Sequence, residues 1–259
     1  MGALHEGHAA LIRSARQIAD KAGKKDSVVV SIFVNPTQFG PKEDLSQYPR
    51  PFAQDQKLCK REGSDLLFHP NPSEMYANDA SITVSESRLS SRLCGASRPG
   101  HFNGVCTVVA MLFQIVCPTV AIFGEKDWQQ LSIIRRMVRD LKMPIKIIGH
   151  PTVREEDGLA LSSRNLLLTP EARALAPRIY QALIETAMEA EAGETSVAKL
   201  RRGLLKDLAA ISEAVVDYAE IVNEETMEPL KKIRHGVKAR ALVAVRFAGV
   251  RLIDNIPVP

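Results

Sequence analysis

Residues 27–34, Ser-Val-Val-Val-Ser-Ile-Phe-Val, form an almost unbroken apolar, β-branched run that stops at Asn35-Pro36. Such a strand has no polar face, so both of its faces must be covered, as in parallel sheets flanked by helices. The neighbouring segments supply the cover. Leu11, Ile12, Ala15, Ile18, Ala19 and Ala22 fall on one helical stripe, with Gly23 placed to end it. Phe52 to Glu62 predicts a second helix ended by Gly63, Asp65 to His69 a short strand, and Ile82-Thr83-Val84 another. The stretch from Leu93 to Gly104 is rich in Gly, Pro, Ser and Arg and reads as a loop. Val105 to Val116 predicts a buried helix stopped by Pro118, followed by strand Val120 to Phe123, helix Gln129 to Leu141 and strand Ile145 to Ile148. This alternation predicts an α/β fold, a Rossmann-like doubly wound parallel sheet with right-handed crossovers.

Beyond Pro170 the pattern changes. Glu171 to Ala192 and Ser196 to Ile211 are Ala- and Leu-rich helical segments on either side of Gly193. Val215 to Val222, Ala241 to Phe247 and Val250 to Ile256 are strand-like, the last two joined around Ala248-Gly249 as a hairpin. Two domains are therefore expected: 1–152, Rossmann-like, and 153–259, a smaller C-terminal α+β domain.

Charge narrows the function classes. The net charge of +4 is spread over short clusters such as Lys24-Lys25, Arg201-Arg202 and Lys231-Lys232, and aromatics make up only 5%. That distribution argues against a nucleic-acid footprint. No apolar run approaches the ~18 residues of a membrane span, and no secretory signal pattern precedes the first helix. Cys59, Cys94, Cys106 and Cys117 lack zinc or redox spacing. Reduced thiols in a cytoplasmic protein are the expectation.

In open α/β sheets ligands bind beyond the carboxyl ends of strands. Polar clusters follow three of the predicted strands: Asn35 to Phe39, Gly124 to Gln130, and Val153 to Asn165. A fourth opens the chain, where His5-Glu6-Gly7-His8 leads directly into the first helix. A helix N-terminus favours anions through its unpaired N–H groups and dipole, and two imidazoles beside it suggest phosphate chemistry. Lys126 could neutralise transferring phosphates, Asp127 could bind a ribose hydroxyl or the water shell of a magnesium ion, and Gln130 could hold a polar substrate group. Ser162-Ser163-Arg164 offers hydroxyls, backbone donors and a guanidinium suited to a triphosphate, though a turn capped by a serine explains the same string. Gln38 stands at a strand end with Phe39 beside it.

In combination and order these strings resemble the pantothenate synthetase (pantoate–β-alanine ligase) family of H-x-G-H nucleotidyltransferases. The matching strings are residues 1–8, Phe33 to Phe39 with Asp44-Leu45 and Tyr48-Pro49-Arg50, Gly100-His101-Phe102 with Gly104-Val105, and residues 124–130. Val153-Arg154-Glu155 with Asp157 to Ala160, Ser162 to Asn165, and Leu252 to Asn255 complete them. The resemblance implies that pantoate attacks Mg-ATP to give pantoyl adenylate and pyrophosphate, after which β-alanine displaces AMP. It implies catalytic roles for His8, His5 and Lys126, with His8 the proton donor. ATP would be lined by Met1, Gly2, Ala3, Leu4, His5, Glu6, Gly7, His8, Gly124, Glu125, Lys126, Asp127, Val153, Leu161, Ser162, Ser163 and Arg164. Gln38 and Gln130 would hold pantoate, with Gln38 also near β-alanine. A homodimer and Mg2+ delivered with ATP are implied; metal ligands are not assigned.

Two departures from the family pattern stand out. Leu161 occupies a position usually held by Met, a nearly volume-conserving change. Family members also carry a segment with the first β-strand before this Met-Gly, so that strand is expected to be absent here, exposing strand edges and leaving space in the core. Two other readings fit parts of the pattern: a related adenylyltransferase, and a non-catalytic paralogue that retains the fold.

Overall fold

The computed structural model describes residues 1–22, 26–40, 45–46 and 48–259. The expected helix end at Gly23, the Lys24-Lys25 pair and Asp44 lie outside the described residues. The chain divides into two compact units. The first holds Met1–Ser91, Arg98–Glu125 and Gln130–Pro151, and the second Arg92–Ser97, Lys126–Gln129 and Thr152–Pro259.

The first unit opens with helix α1 (Glu6–Ala22), which buries Ala9, Ile12 and Ala19. Strand β1 (Val29–Ser31), helix α2 (Phe52–Arg61) and strand β2 (Leu66–Phe68) follow, with β1 and β2 parallel and Val30 opposite Leu67. Ile12, Val30, Ile32 and Cys59 form a small buried cluster here. Helix α3 (Pro72–Met75) is a single turn with a capping box between Asn71 and Glu74. Ile82-Thr83-Val84 is not a strand: no ladder partner engages it among the described residues, Ile82 is 85% exposed, and Val84 is held instead by the Thr107 hydroxyl.

The predicted loop between Leu93 and Gly104 is largely helical. It contains α4 (Leu93–Ser97), in the second unit, and the first turn of α5 (His101–Val116). Gly100, at φ +82°, caps the start of α5, so glycine here acts as a helix boundary. Strand β3 (Val120–Gly124), helix α6 (Trp128–Asp140) and strand β4 (Lys146–His150) complete a second parallel pair, with Ile122 opposite Ile148. The parallel strands thus form two separate pairs among the described residues. Beside β1, the Met1 amino group donates to the Ser31 carbonyl (2.9 Å) and the Met1 carbonyl accepts from Phe33 N–H (3.1 Å).

In the second unit the single helix expected from Glu171 to Ala192 breaks in two. Thr169 caps α7 (Pro170–Leu175), and Pro177 separates it from α8 (Arg178–Glu191), because proline cannot continue the hydrogen-bond ladder. Helix α9 (Val197–Ala209) buries Leu200, Leu204 and Leu208 completely. Each contributes about 1.5–3 kcal/mol before its side-chain entropy is subtracted. Helices α8 and α9 share their core with an antiparallel sheet of β5 (Ala214–Asn223), β6 (Ala239–Phe247) and β7 (Val250–Val258), in the order β5-β6-β7. Phe247 faces Val250 across the β6–β7 turn, whose central residues Ala248 and Gly249 both have positive φ. That is the geometry of a two-residue hairpin turn matched to strand twist.

Candidate active site

The candidate residues fall in both units, and the local geometry of each group is distinct. In the first unit the turn before α1 is built almost wholly from backbone. The His5 carbonyl accepts from His8 N–H (2.8 Å) and from Ala9 N–H (3.1 Å), which places His5 at the helix entrance. The two imidazoles lie 4.1 Å apart, centroid to centroid. Nδ1 of His5 accepts from Gly7 N–H (3.2 Å), and Nδ1 of His8 accepts from His5 N–H (3.3 Å). A neutral imidazole whose Nδ1 accepts carries its proton on Nε2. Both rings are thereby set as Nε2–H donors at a helix N-terminus.

Gln38 ends a 3-10 turn, Pro36–Gln38, that Asn35 organises. Asn35 is 2% exposed. Its Oδ1 accepts from Thr37 N–H and hydroxyl and from the Tyr76 hydroxyl (2.7 Å), while its Nδ2 donates to the Gly104 carbonyl (3.1 Å). The Gln38 carbonyl in turn accepts from Nδ1 of His101 (2.8 Å) and from Arg98 (3.3 Å). Because Arg98 can only donate, its 3.1 Å contact to Nε2 of His101 fixes the proton of that ring on Nδ1. Gly104 allows the approach: a Cβ there would lie 2.5 Å from the Thr37 carbonyl oxygen. Gly100-His101-Phe102 and Gly104 are therefore the clamp on the Gln38 turn. Gly124 ends β3, Glu125 follows in a 3-10 turn, and Gln130 lies in the first turn of α6.

In the second unit Val153 and Leu161 are brought together by a tight hairpin. Leu161 N–H donates to the Val153 carbonyl (3.0 Å), and Arg154 pairs with Ala160. The Ser162 hydroxyl accepts from Arg164 N–H (3.3 Å) and caps the 3-10 turn Ser163–Leu167, so the capping role that the string allowed is present. Lys126, Ser162, Asn165, Leu252 and Asp254 border a narrow cleft of about 10 Å³. That is one water's worth of room. The Lys126 carbonyl accepts from the Asn255 amide (2.9 Å). Desolvation pushes the Lys126 ammonium below the ordinary lysine range, opposed by the negative charges of Asp127 and Asp254.

Charged groups that sequence reasoning left without a role hold this region. Arg154 makes a bidentate pair with Asp254 (2.6 and 2.9 Å) and lies 3.6 Å above the Tyr180 ring. Arg240, 6% exposed, covers the Trp128 ring at 3.5 Å and donates to Asn255 (2.6 Å). Of the two adjacent glutamines, Gln129 is structural: it is 2% exposed and bridges Cys94 N–H and the Arg92 carbonyl. The signal for these residues was present in the strings Val153-Arg154-Glu155 and Leu252 to Asn255, but their pairing across 100 positions is not readable from spacing.

The first unit is parallel α/β with paired imidazoles at a helix entrance, and the second is α+β with Lys126 and Asp254 at a narrow cleft. The family model described as pantoate-beta-alanine ligase matches residues 1–257. A pantothenate synthetase from Thermotoga petrophila is 51% identical over 98% of this chain and 88% of its own length. The crystal structure of pantothenate synthetase from Thermus thermophilus superimposes with a TM-score of 0.93 at 49% identity, covering 100% of this chain and 91% of that one. A pantoate-beta-alanine ligase from Francisella tularensis, complexed with beta-gamma ATP and β-alanine, gives a TM-score of 0.78 at 34% identity, over 99% and 86% of the two chains. The chain belongs to the pantoate–β-alanine ligase family, whose members are carbon–nitrogen bond-forming enzymes.

Proposed function

We propose that the chain makes pantothenate from pantoate, β-alanine and Mg-ATP in two steps. A pantoate carboxylate oxygen attacks the α-phosphorus, forming the new P–O bond as the bond to pyrophosphate breaks. The amine of β-alanine then attacks the acyl carbon of pantoyl adenylate, forming the C–N bond, releasing AMP and losing a proton. The observation that carries this reading is the locked tautomer of His5 and His8. Two Nε2–H donors at a helix N-terminus suit the negative charge that grows on the leaving pyrophosphate.

Within this reading His8 and His5 donate to the triphosphate, and His8 supplies the proton to the leaving group. Lys126 offsets charge on the transferring phosphoryl group. Met1 to His8, Gly124 to Asp127, Val153 and Leu161 to Arg164 contact ATP, while Gln38 and Gln130 hold pantoate. Mg2+ arrives as part of the substrate. Phosphate oxygens and water supply most of its ligands, as that ion prefers; no cluster of three metal-ligating side chains exists among the described residues. We further place the protein in the cytoplasm as a homodimer. Four cysteines without a disulfide agree with the compartment, and sedimentation equilibrium tests the dimer.

The decisive experiment follows the nucleotide. Mg-ATP, pantoate and β-alanine should yield AMP and pyrophosphate, and positional isotope exchange within ATP should require pantoate but not β-alanine. Release of ADP and phosphate would refute an adenylate.

A further inference from the structure

Asp55 is the fourth residue of α2, a helix whose charged side chains otherwise face water, yet it is only 2% exposed. Aspartate is seldom that buried without a cationic partner. Here Oδ1 accepts a single hydrogen bond, 2.7 Å from Leu4 N–H, and Oδ2 is buried with no hydrogen-bond partner among the described residues. Both features cost stability: a carboxylate removed from water, and an oxygen left unsatisfied. Burial raises its pKa, with the Leu4 bond pulling the other way and the Met1 amino group and His69 opposing it through space rather than by a hydrogen bond.

What the carboxylate touches gives it a use. Leu4 immediately precedes His5, and its peptide is the last before the turn in which the two imidazoles take their hydrogen bonds from Gly7 and His5 N–H. Immediately upstream the backbone is equally constrained. Gly2 has φ +103°, and a Cβ there would lie 2.8 Å from Ile32 Cγ2 and 3.2 Å from Asp55 Oδ2. Asp55 thus grips the one peptide that sets where the histidine turn begins, from a helix some fifty positions away.

We propose that Asp55 is a positioning residue of the ligase reaction: its Oδ1, bound to Leu4 N–H, sets the register of the His5–His8 turn so that both Nε2–H groups meet the triphosphate. The inference rests on the ATP role given above to that turn. It accounts for an acidic side chain buried at a stability cost, and it separates cleanly from a structural role, because the two make opposite forecasts for one substitution.

Asp55→Leu removes the acceptor and the orphan oxygen together and keeps the branched outline of the side chain, though with a larger volume. The full chain carrying it should still fold, melting within about 10 °C of the parent, the loss that one orphaned Leu4 N–H allows. The ring 13C–1H NMR signals of His5 and His8 should shift, and kcat/KM for ATP should fall at least ~10-fold, as for a misplaced catalytic group. Asp55→Asn, which keeps an acceptor oxygen, should return both the signals and the rate to within about threefold of the parent, a small loss set against that misplacement. Asp65→Leu is the control, since it deletes a carboxylate-to-backbone bond of 2.7 Å to Val28 N–H, together with the Arg16 ion pair, away from the histidine turn. It should leave the histidine signals and rate unchanged. Histidine signals in Asp55→Leu that coincide with those of the parent, or outright unfolding of Asp55→Leu while Asp55→Asn folds, would overturn the inference. Shifted signals with an unchanged rate would keep Asp55 as the anchor of the turn and refute the ATP role of the histidines instead.

Discussion

The histidine turn in the first unit and the Lys126 region in the second are held by opposite means. Around His5 and His8 the partners are backbone N–H and carbonyl groups, with the single carboxylate of Asp55 beneath. Around Lys126 ion pairs dominate: Arg154 with Asp254, Arg240 with Glu224 and Arg251 with Asp217, with the neutral Asn255 amide joining Arg240 to the Lys126 carbonyl. The difference follows from what each must present. Neutral imidazoles need a fixed tautomer, which directional backbone bonds supply. An ammonium held out of bulk water needs compensating charge, which Asp127 and, on β7, Asp254 supply against Arg164 and Arg251. One arrangement is precise and weak, the other strong and costly to break.

Breaking the ion pair is therefore expected to have the largest effect. Arg154→Ala strands Asp254, which is 5% exposed. Arg154 itself retains some exposure, so the loss should fall toward the lower end of the roughly 3–5 kcal/mol seen for one-sided removal from buried pairs. Urea denaturation measures it, and a loss below ~1 kcal/mol would show that the network is ornamental.

The next effect is chemical. His8→Ala and Lys126→Ala should each lower adenylate formation by at least ~10²-fold with melting little changed. Wild-type turnover of Lys126→Ala at saturating ATP would remove it from the mechanism. The same residue gives a pH forecast. Desolvation favours the neutral amine, so as pH rises the charge is lost earlier than in a free lysine. The alkaline limb of the rate should accordingly lie below ~10.4 and move upward in Lys126→Arg, whose guanidinium keeps its charge.

A smaller change probes the backbone clamp of the first unit. Gly104→Ala forces a methyl group against the Thr37 carbonyl and should cost about 1–3 kcal/mol, as overpacking does. Because the Gln38 turn must move, KM for pantoate should rise more than kcat falls. The reverse split would mean that Gln38 does not hold pantoate. The least effect concerns thiols. Cys117 is exposed, whereas Cys59, Cys94 and Cys106 are buried, and burial raises the Cys106 thiol to about 11. Native protein should take up one equivalent of maleimide quickly at Cys117, with activity retained.

Much of the fold was legible because local rules agreed with one another. The β-branched run around β1, the apolar stripes of α1 and α6, and the β6–β7 hairpin each satisfy their period and their turn chemistry without help from distant residues. Where the reading failed, local signals were ambiguous. The Gly-, Ser- and Arg-rich stretch from Leu93 to Gly104 folds as helix because it packs against other elements, and Pro177 cuts a helix whose composition alone ran straight through. Ile82-Thr83-Val84 has strand composition but no partner strand among the described residues.

The sites divide in the same way. Spacing determined that two imidazoles share a helix entrance and that Lys126-Asp127 and Ser162 to Arg164 follow strand ends, since these are relations between near neighbours. Only the tertiary structure decided which ring nitrogen carries the proton, that Gln129 bridges Cys94 and Arg92, and that Asp55, Arg154, Asp254, Arg240 and Asn255 meet their partners across the sequence. Those residues act through hydrogen bonds and ion pairs between distant segments. Their geometry is fixed by packing, and no periodicity in the chain encodes it.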